Sequence, residues 1–517
     1  MTFRTMSLPL AALVAGAAPS LAQIAPEDVW AEMVDGLERG QLVLESADES
    51  REGDVLTVSN IEVSQDDGFT ATTFTLPQIV MRQTDEGVAL ELPETSEITF
   101  SSRSEYSEEP TTGTLVLDLD GWTANLTGQD IESLDYDYAA DAVTVTVSEI
   151  DVPDEGTFEA PMTMTMTDLS GDYSTEPAED GLDRISQTAR IGSTEISVDM
   201  DATDPVATFD LAMNLGSLEF EATSFVDSDL EPEDFQDALA SGFSGEGSAT
   251  LGPYDYTFEF YEEDTDASRP ADQFSFSGGS EGGEAAFAIS ADGMSYSTES
   301  TAVRLAVETP ELPVGAVSGT LDRVALSLTA PTVSSEEAQD FSAELRMEGL
   351  ALSDSVWDML PDMVGAPIDL PRDPATIAIA LTGQVILPFD YFDSALYEQS
   401  QQPEPPLPTT VTLDELRIDF AGVELTGDGT VDFDLDDMES FDGFPAPDGT
   451  IELSLTGLQG LVRTLVQAGL VPAEQALFVQ GMVGAVARPV GEDQFVSEIV
   501  FGPGASITAN GFPIPLR

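Results

Sequence analysis

Hydrophobic and polar positions alternate strictly through much of this chain, and the clearest case lies near its end. Thr450-Ile451-Glu452-Leu453-Ser454-Leu455 places every second side chain on one face, which predicts a half-buried β-strand. The period then changes. Leu458, Leu461, Val462, Leu465 and Val466 recur at three- and four-residue steps, which predicts a helix. Gly469 stands where a left-handed cap would end it, and Pro472 where a second helix would begin, running to Val486 with Leu477, Met482 and Val483. Gln494–Phe501 and Ala505–Asn510 read as closing strands joined by Gly502-Pro503-Gly504, with a last turn at Asn510-Gly511. The ending is therefore expected to be a helical hairpin packed on a sheet.

The same alternation fills the rest of the chain. Val55–Val63, Thr114–Leu119 and Val143–Val147 predict strands. Met162, Met164 and Met166 alternate with threonines; at period two they are either core or a soft ligand-binding surface. Helices are expected over Gln23–Leu37, Asp227–Phe243 (opened by Ser228 or Asp229 and Pro232) and Ser353–Met363, with Val356, Trp357 and Leu360 facing inward. Strands resume at Gly245 and run through Tyr254, Tyr256, Phe258 and Phe260, and another covers Thr376–Leu387. Ser277–Gly283 reads as a flexible loop. Leu416, Ile418 and Phe420 oppose Glu415, Arg417 and Asp419; Gly427-Asp428-Gly429 is expected to turn the chain; Val431, Phe433 and Leu435 then face in, with Asp432, Asp434 and Asp436 out.

The fold class is mainly β with a few short helices (α+β): elongated antiparallel sheets, curved or groove-like. The predicted division is a signal peptide at 1–22, an N-terminal β-rich lobe with its opening helix at 23–226, and a middle β-rich lobe at 227–399. A Pro-rich linker at 400–408 and a C-terminal module at 409–517 complete it. The leader has Arg4, an apolar Leu8–Ala18 stretch and the small-x-small Ser20-Leu21-Ala22, predicting cleavage after Ala22 and a periplasmic location. No later stretch is apolar for long enough to predict an integral membrane segment.

Charge changes the picture most. The 517 residues hold 98 Asp and Glu against 16 basic residues, all arginine, for a formal charge of −82. Such a surface repels phosphates, which argues against nucleic acid as a partner, and it fits adaptation to a saline medium, where screening tames self-repulsion, with a calcium-loaded or cation-collecting surface as the alternative. His, Cys and Lys are all absent. That removes imidazole- and thiol-based triads, Schiff-base lysines, Walker-type phosphate binding and the usual zinc or haem ligands. Asp432-x-Asp434-x-Asp436 resembles the start of a calcium loop, but Asp437 holds the sixth position and Gly443 the twelfth, where Gly and Glu belong. No catalytic, cofactor-binding or metal residue is therefore assigned, no cofactor is expected, and the chain is read as a non-enzyme.

Four stretches carry a family resemblance: Ala25–Trp30; Ala240–Phe243 leading into Gly252–Tyr256; Leu352–Met359 with Leu370–Thr376; and Gly469–Ala476 closing on Ala509–Gly511. Together they resemble the alphaproteobacterial exported family catalogued as domain of unknown function 2125, whose members have no established activity to carry over. The ending also resembles, more weakly, AsmA-like periplasmic β-groove proteins. The resemblance implies an uncharacterised exported protein, and the groove analogy implies an apolar ligand or lipid bound along a sheet. A structural or partner-binding envelope protein is the alternative, and a carboxylate-only glycan hydrolase a third reading, since glycosidases need only two acids.

Overall fold

A computed structural model describes residues 24–514 except 40–41, 67–69, 105–108, 129–133, 153–155, 179–180, 204–205, 228–234, 264–270, 365–369, 394–404, 442 and 504–505. The expected signal peptide lies outside the described residues, as do Ser228, Asp229 and Pro232 and most of the expected linker. The chain divides into two units, one of Met1–Ser228 with Ala249–Ser275, the other of Asp229–Ser248 with Phe276–Arg517. Both are mostly antiparallel β, as the alternation predicts.

In the first unit the opening helix, Pro26–Arg39, lays Val29, Trp30, Met33 and Leu37 on the sheet. They meet Leu56, Val58, Ile79, Met81, Val88 and Leu126, all nearly solvent-free. Polar bonds set the helix in place: Trp30 Nε1 donates to Glu49 Oε1 at 2.9 Å, and Gln83 Nε2 donates to the Ile24 carbonyl at 2.9 Å. A second cluster follows along the same sheet, with Ile98, Leu117, Leu119, Val143 and Val145 buried and Met164 and Met166 packed beside them.

The second unit is an antiparallel meander. Successive strands Gly282–Ser290, Gly293–Glu308, Ala316–Ala330, Gln339–Leu352, Ala375–Ile386, Leu407–Phe420, Val423–Asp434, Ala446–Thr456 and Gln494–Gly502 each pair with the next. Two expected loops prove to be strand. Ser277–Gly283 is crossed by the strands Asp272–Ser280 and Gly282–Ser290, because Gly283 lies against the Glu299 backbone where a side chain would not fit. Gly427-Asp428-Gly429 sits inside Val423–Asp434; the chain turns at Ala421-Gly422 instead, where φ values of 53° and 78° make the left-handed pair of a tight hairpin. Gly427 faces Leu416 and Leu453 across the ladder and leaves room for both leucines. Pro408 stands in the ladder opposite Val385, at a register shift that suits a residue with no N–H.

The described helices are Pro26–Arg39, Phe235–Ala240, Asp354–Val364, Leu458–Gln467 and Ala473–Val486. The last two form the predicted hairpin. Gly469 (φ 73°) ends the first of them, with Leu470 N–H on the Leu465 carbonyl and Gly469 N–H on that of Val466. Pro472 is the cap residue, one position earlier than expected. The second hairpin helix departs further. It packs beside the first and buries Ala476, but Leu477, Met482 and Val486, expected against the sheet, are 69%, 53% and 41% exposed. The sheet is not there to cover them.

Candidate functional site

The second unit's sheet separates its chemistry by face. Residues directly opposite in an antiparallel ladder share a face, so the register gives one row as Leu326, Leu345, Ile379, Leu416, Gly427 and Leu453. The next row runs Tyr296, Leu328, Ala343, Leu381 and Leu413, and a third Val324, Met347, Ile377, Ile418, Leu425 and Leu455. The reverse face holds the intervening residues and is polar. Arg323 bridges Glu299 at 2.8 Å and reaches Glu348 at 3.8 Å; Arg346 bonds Glu344, meets Glu348 at 3.5 Å and Glu415 at 2.6 Å.

A one-sided sheet ordinarily turns its apolar face to a second layer. Here that face is open. Leu326 is 43% exposed, and Leu328 and Leu345 are each 38% exposed, whereas the Arg346 side chain on the charged face is 22% exposed. From the strand at Gly293 to that at Ala446, seven strands at ~4.8 Å spacing give an apolar span of about 29 Å. That exceeds the ~15 Å thickness of one leaflet's hydrocarbon.

The first unit shows the same segregation with a gradient. Val145, Met164, Ile196, Met213 and Tyr256 form one row, and Val147, Met162, Val198, Leu211 and Phe258 another. Val145 and Val147 are buried, while the positions from Met162 and Met164 to Tyr256 and Phe258 are half-buried. The methionine stripe thus stands where the buried core gives way to half-buried apolar surface. Burial, then the neighbouring Tyr254, raises the Tyr256 phenol above its usual range.

A small cavity also lies in this unit, between Met33, Leu76, Ile79, Leu90, Leu92, Ile98, Leu117, Trp122 and Tyr136. Its volume of about 60 Å³ is far below the ~300–1,000 Å³ of a small-molecule site. The aromatic wall is ordered: Trp122 stacks on Tyr138 at 6.3 Å and Tyr138 tilts against Tyr136 at 5.5 Å. Tyr138 spreads over Gly171, directly opposite it, where any side chain would collide with the ring. Trp122 Nε1 is buried with no hydrogen-bond partner among the described residues.

Among the described residues, three acids have their ionisation shifted by a neighbour, each downward. The Arg82 hydrogen bond holds Glu91 below the usual carboxylate range, the Arg323 bond does so for Glu299, and Ser440 does so for Asp437. A glycosidase's general acid needs the opposite shift. The three aspartates of the calcium-like stretch are exposed, and two carboxylates are engaged: Asp432 accepts from Thr410 Oγ1 at 2.8 Å and Asp434 from the Asp436 N–H at 2.9 Å. The strand ends at Asp434, so Leu435 and Asp436 already belong to the turn. No group of three acids gathers as a metal site among the described residues.

No described helix is long and apolar enough to cross a membrane. Residues 253–513 match a family model described as an uncharacterized protein conserved in bacteria, DUF2125. No curated protein and no solved structure matches the chain, and the AsmA-like resemblance is not confirmed.

Proposed function

The chain belongs to the DUF2125 family of uncharacterized bacterial proteins, and from that premise we propose that it is an exported, non-catalytic protein of the periplasm that holds an apolar ligand of the acyl-lipid class along its sheet. The observation that carries this reading is the open face at Leu326, Leu328 and Leu345, more exposed than the Arg346 side chain behind it. Contiguous apolar surface of that extent stays in water only at a cost, and in soluble proteins it marks a binding surface. The lack of His, Cys and Lys supports a holding role over a chemical one. Arg4, the Leu8–Ala18 stretch and Ser20-Leu21-Ala22 support export.

Titration of the chain lacking residues 1–22 with a fluorescent polyene fatty acid tests the reading. Saturable binding is expected, weakened by about tenfold or more when Leu326→Asp and Leu345→Asp put charge on the apolar row. Ser327→Asp, on the reverse face, leaves binding unchanged. Absence of binding, or equal binding by the Leu326/Leu345 variant, overturns the reading.

A further inference from the structure

The apolar helix Ala473–Val486 is a different surface from the sheet face. Leu477 and Phe478 are 69% and 66% exposed, and Phe478, Met482 and Val486 follow one another at four-residue steps along its length. Polar bonds hold its end in place: the Val486 carbonyl accepts from Ser497 Oγ at 2.6 Å and Asn510 Nδ2 at 2.9 Å. Near that anchor Phe512 is 68% exposed.

Charge says what this surface meets. Acids make up 98 of 517 residues, yet Glu474 is the sole acid from Leu453 to Gly491, where Arg463 and Arg488 also lie. Along the chain, the run of acids is interrupted where the apolar helix stands. A second copy of this chain would bring another surface of formal charge −82 to the contact, and that repulsion opposes pairing except where salt screens it. A zwitterionic lipid surface brings no net charge and offers an apolar interior. The helix has 14 residues, about 21 Å at 1.5 Å per residue, too short for the ~30 Å hydrocarbon core, so it lies in the interface and does not span.

We infer that the helix Ala473–Val486 is a peripheral docking element for a lipid bilayer surface of low net charge, seated through Leu477, Phe478 and Met482. This inference is independent of whether the sheet holds a ligand. Because the body of the protein is acidic, salt strengthens the contact with anionic vesicles, where a basic anchor would be released by it.

The test is co-flotation of the chain lacking residues 1–22 with vesicles of phosphatidylcholine, alone or mixed with phosphatidylglycerol, at low and molar NaCl. The expected result is flotation with phosphatidylcholine at both salt levels, and flotation with the mixed vesicles that rises with salt. Phe478→Asp with Met482→Asp lowers the bound fraction by about tenfold or more, with an unchanged circular dichroism spectrum as the check on folding. Leu326→Asp with Leu345→Asp still floats, which separates this surface from the sheet face. No flotation in molar salt, equal flotation of the Phe478/Met482 variant, or loss of flotation in the Leu326/Leu345 variant overturns the inference. So does a concentration-dependent dimer that Phe478→Asp abolishes in the absence of vesicles, which assigns the face to a second copy.

Discussion

Asp493 accepts the backbone N–H of Gln459 at 2.7 Å, and its second carboxylate oxygen takes that of Gly460 at 2.8 Å. The first helix of the hairpin begins after Gly457, a residue with no side chain to cap it, and a carboxylate from the turn before the Gln494–Gly502 strand supplies what is missing. It satisfies two orphan donors and places negative charge at the positive end of the helix. Asp493→Ala is expected to cost about 1–2 kcal/mol, read as a lowered urea midpoint with an unchanged slope. A change within error would show that water replaces the cap.

Tyr136 gives the N-terminal unit a defined alkaline limit. Burial, then Tyr138 and Asp137, pushes its phenol up to about 12. In the unfolded chain it ionises near 10, so between these values the unfolded state loses a proton that the folded state keeps. Stability therefore falls as pH rises through this window, by about 1.4 kcal/mol per pH unit at most. Urea midpoints measured from pH 9 to 12 should fall, and Tyr136→Phe should remove this part of the decline. A parallel decline in both proteins would contradict the assignment.

The formal charge of −82 predicts a steep dependence on salt. Raising NaCl from 0.15 M to 1 M shortens the screening length from ~8 Å to ~3 Å, and the urea midpoint is expected to climb across that range. Each arginine ladder, such as Glu299–Arg323–Glu348, works against this trend because salt screens attraction too. With 16 arginines against 98 acids, repulsion outweighs it. A flat midpoint would mean that the acids are spaced well enough to stand in dilute buffer.

Alternation alone placed the strands well, since a buried or half-buried face writes itself into every second residue. The rows Leu416-Ile418-Phe420 and Ile451-Leu453-Leu455 were legible for that reason. Glycine was the weak point. Gly427, Gly429 and Gly283 look like turn residues locally, but they sit in strands where a neighbour's side chain or backbone needs the space, a tertiary cause invisible in the local sequence. The cap from Asp493 lies 34 residues from Gln459 in the chain and was equally hidden. Period predicts which residues share a face, and it does not say whether anything covers that face. Leu477 and Met482 in the hairpin and Leu326 and Leu345 in the sheet all have core-like spacing, and all four are open to solvent.

The most direct test is native mass spectrometry of the chain purified, without detergent or added lipid, from cells that make it naturally. The expected spectrum shows a population heavier than the polypeptide by one or more acyl-lipid masses, released on organic extraction and missing from the Leu326→Asp, Leu345→Asp variant. A spectrum of bare polypeptide alone, from both proteins, would contradict the claim that the open sheet face is there to hold an apolar ligand.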